Sequence, residues 1–409
     1  MEVIMLLNLD HKKLLLSNRI SFLIAGFCIA AWAPMIPFVR ERFALNEHDL
    51  GLLLLCVGIG SFVSMPTSGY FSARFGCKKP IIIAAILISL CLVSIPLINN
   101  LYVLAAVLFF MGVNSVFLDV ISNINAALVE QYTKRDVMSG LHGLYSVGGF
   151  LGSMSVTFLL SMNFPFLYSG MYAAVIIIAC ALLGCRDLFN TVHLPDEEEA
   201  HATDSKPSKE NSNKTSKWAY YTNPTVLLIG LMCFIMFMTE GSMLDWSGVF
   251  LRLERGLSLE HAGYGFATFS IFMTIFRLTG DKIVSTFGRG RVIIFGTLLI
   301  VAGFLVAVSI PHYIAAFVGF ALIGMGASNV VPQLVSITAR IKEVPTHISV
   351  TIVNAIGFSG ILIGPAFIGF LAHAITLPYT YLVQATGVLF VTVMTVILIK
   401  HLKKNHHPH

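Results

Sequence analysis

Apolar runs of about 20 residues recur along the whole chain, separated by short polar or charged breaks. This feature constrains the fold more than any other. A run of that length matches the ~30 Å hydrocarbon layer of a bilayer when it is helical. Lipid offers no partner to a backbone N–H or C=O, so a segment crossing it must be a helix or part of a closed barrel. The runs are continuous, without the alternation of barrel strands, so helices are expected. Twelve runs can be drawn, at roughly 19–39, 50–71, 79–98, 102–127, 137–162, 164–185, 223–251, 260–281, 290–310, 313–339, 347–373 and 377–400. Composition agrees: 56% of the 409 residues are hydrophobic, 11% are charged and the mean hydropathy is +0.82. An ordinary soluble domain has roughly 25% charged residues. That excludes a soluble enzyme, a nucleic-acid-binding protein and a disordered chain. The expected fold class is all-α, a polytopic membrane protein of 12 transmembrane helices in the lipid bilayer.

Basic residues set the orientation. With the N-terminus in the cytoplasm, 21 of the 26 Lys and Arg fall on the cytoplasmic side. Arg40, Arg42, Arg252 and Arg255 fall outside, and Arg277 lies within a span. Such a bias fits an even number of spans with both termini cytoplasmic, and it accounts for the net charge of +5 without nucleic acid. Asp10, Lys12 and Lys13 precede the first run and no small-residue cleavage site follows it, so it reads as a retained span rather than a signal peptide.

One long polar stretch, 186–222, interrupts the pattern. It contains DEEEAHATDSKPSKENSNKTSK and reads as a flexible cytoplasmic linker whose acidic run, Asp196 to Glu199, is simply solvated. It divides the chain into an N-terminal six-helix bundle (1–185) and a C-terminal one (223–409). The halves echo each other. GYFSARFGCKK (69–79) after span two parallels DKIVSTFGRGR (281–291) after span eight, and GVNSV in span four parallels GASNV in span ten. Span five carries Gly148, Gly149 and Gly152, and span eleven carries Gly360, Gly364, Pro365 and Gly369. Small residues so spaced let helices approach closely. Six plus six with internal repetition is the plan of a secondary transporter with its site between the halves.

The loop at 69–79 resembles the signature of the major facilitator superfamily through Gly69, Arg74, Gly76, Lys78 and Lys79. Ala73 stands where that signature has Asp, and Ser285 stands at the matching place in the second copy. Ala31-Trp32-Ala33 with Pro37, His142-Gly143-x-Tyr145-Ser146-x-Gly148, Glu240-Gly241-Ser242-x-x-Asp245-Trp246, Arg277-x-Thr279-Gly280 and Gly364-Pro365 are similar to a narrower YbjJ-type bacterial inner-membrane group, fucose-permease-like. The resemblance implies alternating access in a bacterial cytoplasmic membrane, with spans one, four, seven and ten lining a cavity. It gives no solute.

Charges inside spans carry the functional expectation, because each costs at least about 2.5–3.5 kcal/mol at mid-bilayer unless it faces a cavity, pairs or is protonated. Asp119 on span four and Glu240 and Asp245 on span seven are the acids so placed. Glu240 is the leading candidate for proton coupling or substrate hydrogen bonding, against a structural cap at the following Gly241. Asp245, about 140° further round beyond one turn, is a further coupling or substrate candidate, with a structural role beside an interfacial Trp246 as the plainer expectation. Asp119 divides between coupling and a structural salt bridge. Histidine can change charge at physiological pH, so His142 is a further coupling candidate, with a solvated or packing role as the alternative. No second His or Cys stands at its i+3 or i+4, so zinc is not expected. Arg277 shares a face with Ser270, Thr274 and Asp281, so a local pair with Asp281 is the plain expectation. The alternative is a cytoplasmic gate, with Arg277, Asp281 and Arg74 as its charges, or an anion contact that implies a carboxylate on the solute.

Amides able both to donate and accept suggest cavity lining by Asn114, Asn123, Asn329, Gln333 and Asn354, although amides also simply join helices in lipid. Trp32, beside Pro34 and Pro37, could stack on a sugar ring or mark a kink at the outer interface. The seven cysteines are scattered and read as packing residues. No nucleophile–base pair, nucleotide-binding loop or metal-ligand spacing occurs, so no cofactor is implied and the chain reads as no enzyme. The expectation is a monomeric, proton-coupled symporter of a small polar solute such as a sugar, organic acid or siderophore-like chelate. Thirty-one Phe and 16 Met keep a proton-antiporting exporter of amphiphiles in view. The two lost signature acids keep a non-transporting sensor in view.

Overall fold

A computed structural model describes residues 11–135, 137–191, 220–338, 341 and 344–405. Those residues form helices joined by short turns, with no strand among them. Eleven helices are long and apolar enough to cross a membrane: His11–Arg42, Glu47–Phe75, Lys78–Leu97, Leu101–Thr133, Gly140–Ser161, Phe166–Gly184, Pro224–Glu254, Arg289–Ser309, Tyr313–Thr338, Ile348–Ile375 and Leu377–Lys400. They correspond to every expected run except the eighth. There the helix Tyr264–Leu278 has only 15 residues, about 22 Å of rise. A break at Thr279 separates it from the short helix Gly280–Phe287. Counted with that interrupted segment, the spans are twelve.

Local chemistry sets several boundaries. The Asn100 side chain accepts from the backbone N–H of Tyr102 and Val103 at 2.9 and 3.3 Å to start span four. Asn223 does the same for Thr225 and Val226 at 3.0 and 3.1 Å, with Pro224 opening span seven. These are N-caps that satisfy otherwise orphaned donors. Span one tightens into a 3-10 turn at Ala33–Met35, where Pro34 sits. Trp32, which precedes this turn, is 1% exposed.

Glycines make the tightest contacts. Cβ atoms placed on Gly148 and Gly152 would lie 2.0 and 2.5 Å from the Leu23 and Phe27 carbonyl oxygens of span one. One on Gly360 would lie 2.3 Å from the Phe234 carbonyl of span seven, and one on Gly369 would lie 2.5 Å from the Glu47 carbonyl of span two. The small residues singled out in spans five and eleven thus mark direct backbone approach.

Contacts group the chain into two compact units. One comprises Met1–Ile29, Ile59–Gly152 and Phe166–Ser216, and the other Ala30–Gly58, Ser153–Pro165 and Lys217–His409. The second unit therefore contains the ends of spans one, two and five that the Lys and Arg count assigns to the outside. Within it, Arg252 of span seven donates to Glu41 beyond the kink of span one. Ser161 of span five meets Tyr264 of span eight at 3.1 Å. Gly58 of span two abuts Leu362 of span eleven.

Candidate functional site

Span seven runs unbroken over 31 residues, and Glu240 is the seventeenth of them, at its middle. Spans eight and ten are both interrupted in the same unit. In span eight, the Thr279 hydroxyl bonds back to the Ile275 and Phe276 carbonyls at 3.0 and 3.4 Å, and Gly280 follows. In span ten, helix Tyr313–Ala327 stops and Val330–Thr338 begins after Ser328 and Asn329. Pro332 accounts for this second break. It has no N–H, so the Ser328 carbonyl four residues earlier loses its helical donor.

Arg277 supplies one instead: its Nε donates to the Ser328 carbonyl at 3.3 Å. Its Nη2 stands 3.9 Å from Oε2 of Glu240. Asn329 ties the two breaks together, donating to the Phe276 carbonyl at 2.9 Å and to the Ser328 hydroxyl at 3.0 Å. A Cβ on Gly280 would lie 2.1 Å from Oδ1 of Asn329, so glycine is what lets that amide in. Glu240 Oε1 and Gln333 Oε1 are buried and have no hydrogen-bond partner among the described residues. The result is an ion pair between the middle of span seven and the end of helix Tyr264–Leu278, beside two short interruptions of helix. Irregular backbone at membrane depth is tolerated where it is buried in protein or lines a cavity, and broken helices of this kind form the binding sites of secondary transporters.

The sequence singles out Glu240 and Arg277 separately. Their pairing differs from expectation, since the ion pair of Arg277 runs to Glu240 on span seven where spacing favours Asp281 on its own helix. Asp281 is exposed in the first turn of Gly280–Phe287. Arg74 is also exposed, donating to the Tyr70 hydroxyl at 3.1 Å and lying 5.7 Å over the Phe75 ring. Asp119 accepts from Asn123 at 3.3 Å and makes no ion pair among the described residues, so its salt-bridge alternative is not realised there. Asp245 is 9% exposed, with no hydrogen bond or ion pair among the described residues. Trp246 is fully buried, which corrects its expected interfacial place. His142 is exposed and meets the Phe22 ring edge-on at 5.5 Å.

The amides divide. Asn114 donates to the Phe110 carbonyl of its own helix at 2.7 Å, Asn123 bonds Asp119, and Asn329 joins two spans. Gln333 and Asn354 are partly buried.

The matched families and folds agree with this architecture. The model of the Major Facilitator Superfamily matches residues 20–343 and 254–409. The chain belongs to the major facilitator superfamily. An uncharacterized MFS-type transporter of Yersinia pestis is 40% identical over 365 residues, covering 89% of this chain and 90% of the relative. The membrane protein MosC of Rhizobium meliloti is 29% identical, covering 93% and 89%. Among solved structures, the nucleoside transporter NupG aligns with a TM-score of 0.68 at 14% identity, over 95% of this chain and 99% of that one. The peptide transporter POT in complex with sulfate aligns with a TM-score of 0.72 at 12% identity, over 95% and 94%. These two likenesses concern the fold alone.

In this member of the superfamily, the signature loop without its acid is held from an unexpected side. The segment expected to open a flexible linker folds back onto it. The Phe189 carbonyl accepts from the N–H of Cys77 and Lys78 at 2.9 and 3.0 Å, satisfying donors at the start of span three. Its own N–H donates to Asn125 at 3.1 Å, and Asn125 donates to Asn18 at 3.0 Å. Gly76, at φ +73°, brings the loop so close that a Cβ would lie 2.0 Å from the Asn190 carbonyl. Phe189 is 1% exposed and Asn125 is fully buried, so neither is linker surface or cavity lining. Residues 192–219, with the acidic run at 196–199, lie outside the described residues. Burial pushes the thiols of Cys77 and Cys185, beside this latch, up to about 12, which keeps both unreactive at neutral pH. Phe189→Ala should cost about 3–5 kcal/mol of stability and expose those thiols. Maleimide labelling of Cys77 and Cys185, compared with wild type, checks it.

Proposed function

We propose that this protein is a secondary active transporter that carries a small polar solute across a bacterial cytoplasmic membrane in symport with a proton, by alternating access. The observation that carries the reading is the Glu240–Arg277 pair at the breaks of spans eight and ten. A carboxylate held in mid-span by one long contact, with its second oxygen buried and unpartnered, is placed to exchange a proton. Asp245 is a second carboxyl able to share that role, and Asp119 and His142 are further candidates on the first half. The partly buried amides support a polar solute. Both termini lie in the cytoplasm, and the molecule works as a monomer.

Alternating access requires the outer ends to part. Those ends are joined by the Arg252–Glu41 pair and by the Gly51–Gly369 approach, where a Cβ on Gly51 would lie 3.0 Å from the Gly369 Cα. Replacing Glu41 and Arg252 by cysteines and linking them with a short bis-methanethiosulfonate should stop transport, and reduction should restore it. Transport unchanged after complete linking would contradict the gate. The expected proton coupling is tested in liposomes holding a pH-sensitive dye, screening pooled sugars, organic acids and chelates for solute-driven proton movement.

One observation favours export of amphiphiles as a second reading. An apolar cleft of about 370 Å³, lined by Phe276, Phe287, Phe295 and Leu299, reaches Ser328 and Asn329 at the break of span ten. An imposed pH gradient that drives an amphiphilic dye outward would select it.

A further inference from the structure

We propose that the solute carries a carboxylate, and that this carboxylate takes the place of Glu240 on Arg277. The inference rests on the reading of Glu240 as the coupling group and names the chemistry of its solute. A basic side chain within a span is costly unless it pairs or faces a cavity. For Arg277, Glu240 supplies the pair, at 3.9 Å. That is well beyond the 2.7–2.9 Å of a charge-assisted hydrogen bond. Oε1 of the same carboxylate is buried without a hydrogen-bond partner among the described residues. The pair is therefore one that another anion can displace.

The charge balance then fixes the order of events. If Glu240 takes a proton with no other anion present, the Arg277–Glu240 ion pair is lost with nothing gained in its place. If a solute carboxylate arrives while Glu240 is ionised, two anions compete for one guanidinium. Only together do they satisfy the site: the proton neutralises Glu240 and the carboxylate pairs with Arg277. Proton and solute binding are thus linked, and each favours the other by the same factor. An uncharged solute has no such need of the proton. The spans packed here carry few other titratable groups. Span eight adds Tyr264 and, beyond its break, Asp281 and Lys282; span eleven has His347 and His373 near its two ends; span twelve has Tyr379, Tyr381 and, at its end, Lys400; span ten has Tyr313 and no charged residue from Tyr313 to Thr338. Span seven itself contributes Cys233 and Asp245, with Arg252 and Glu254 at its far end. The Ser328 carbonyl keeps Arg277 aimed at the break while the anion changes.

The test uses the purified full chain and reads its melting temperature. The probes are acetate, lactate, succinate, gluconate and glucuronate, each beside an uncharged counterpart such as acetamide, propanediol, succinamide or glucose, at pH 6 and pH 8. At least one carboxylate should stabilise the wild type, more at pH 6 than at pH 8, with binding at least about tenfold weaker for its uncharged counterpart. Glu240→Gln should bind the same carboxylate with no difference between the two pH values. Arg277→Gln should lose it. The double variant Glu240→Gln/Arg277→Gln removes both charges, so it leaves no unpaired ion from this couple, and it should fold and still not bind. Equal stabilisation by the uncharged counterparts, undiminished carboxylate binding in the double variant, or no response to any carboxylate each overturns the proposal. If an uncharged solute drives proton uptake that Glu240→Gln abolishes, the coupling reading stands and the carboxylate falls. If a carboxylate binds through Arg277 but moves no proton, the reverse holds.

Discussion

Glu240→Gln is expected to abolish proton-driven accumulation of the solute while leaving its downhill exchange intact. Glutamine keeps the shape and a hydrogen-bonding oxygen but cannot release a proton. A pH difference of about 1.7 units is worth about 2.3 kcal/mol per proton, which corresponds to roughly fiftyfold accumulation for one coupled proton. The variant should bring that ratio to one. Counterflow of labelled solute in proteoliposomes, with no proton gradient, supplies the comparison. A loss of both activities would assign Glu240 to solute binding instead. Retention of uphill transport would move the coupling to Asp245, Asp119 or His142.

The largest structural effect is expected at Gly26 and Gly148. A Cβ on Gly26 would lie 1.9 Å from the Tyr145 carbonyl oxygen of span five, and one on Gly148 would lie 2.0 Å from the Leu23 carbonyl oxygen of span one. The contacts are reciprocal and involve backbone on both sides, so no side-chain rotation relieves them. A packed helix pair does not yield by an ångström locally. Gly26→Val or Gly148→Val should therefore cost more than about 4 kcal/mol, leaving little folded protein after detergent extraction. Gly140→Val is the control, since nothing lies within 4 Å of its Cβ position on the same span. Size-exclusion profiles of the three variants decide the matter, and a normal profile for Gly148→Val would contradict the packing described.

Much of this fold is legible in the sequence because hydrocarbon imposes one rule on every span. Run length marks the helices, and the glycines of spans five and eleven mark the close crossings. Glu240 stands out by its cost in lipid. Its partner does not, because spacing along span eight reports only neighbours on that helix, whereas the Glu240 contact depends on how spans seven and eight are rotated against each other. The two breaks carry signals that hydropathy overlooks. Pro332 lies four residues after Ser328 and removes its donor, and Thr279-Gly280 ends the first part of span eight. The polarity of its neighbours puts Phe189 in a linker. Yet it is an aromatic residue only five positions past span six, able to fold back and cover Cys77. Residue type puts Trp246 at the interface, while the packing of span seven buries it completely.

The central claim is gradient-driven transport through the Glu240–Arg277 site. Its most direct test is dye-reported proton movement into proteoliposomes on addition of succinate, gluconate and glucuronate, which do not diffuse through lipid as acetic and lactic acids do. Wild type, Glu240→Gln and protein-free vesicles are compared at equal membrane potential. The account predicts a solute-dependent internal acidification with wild type that is absent from the other two. Acidification of equal size in Glu240→Gln, with none in protein-free vesicles, would contradict it.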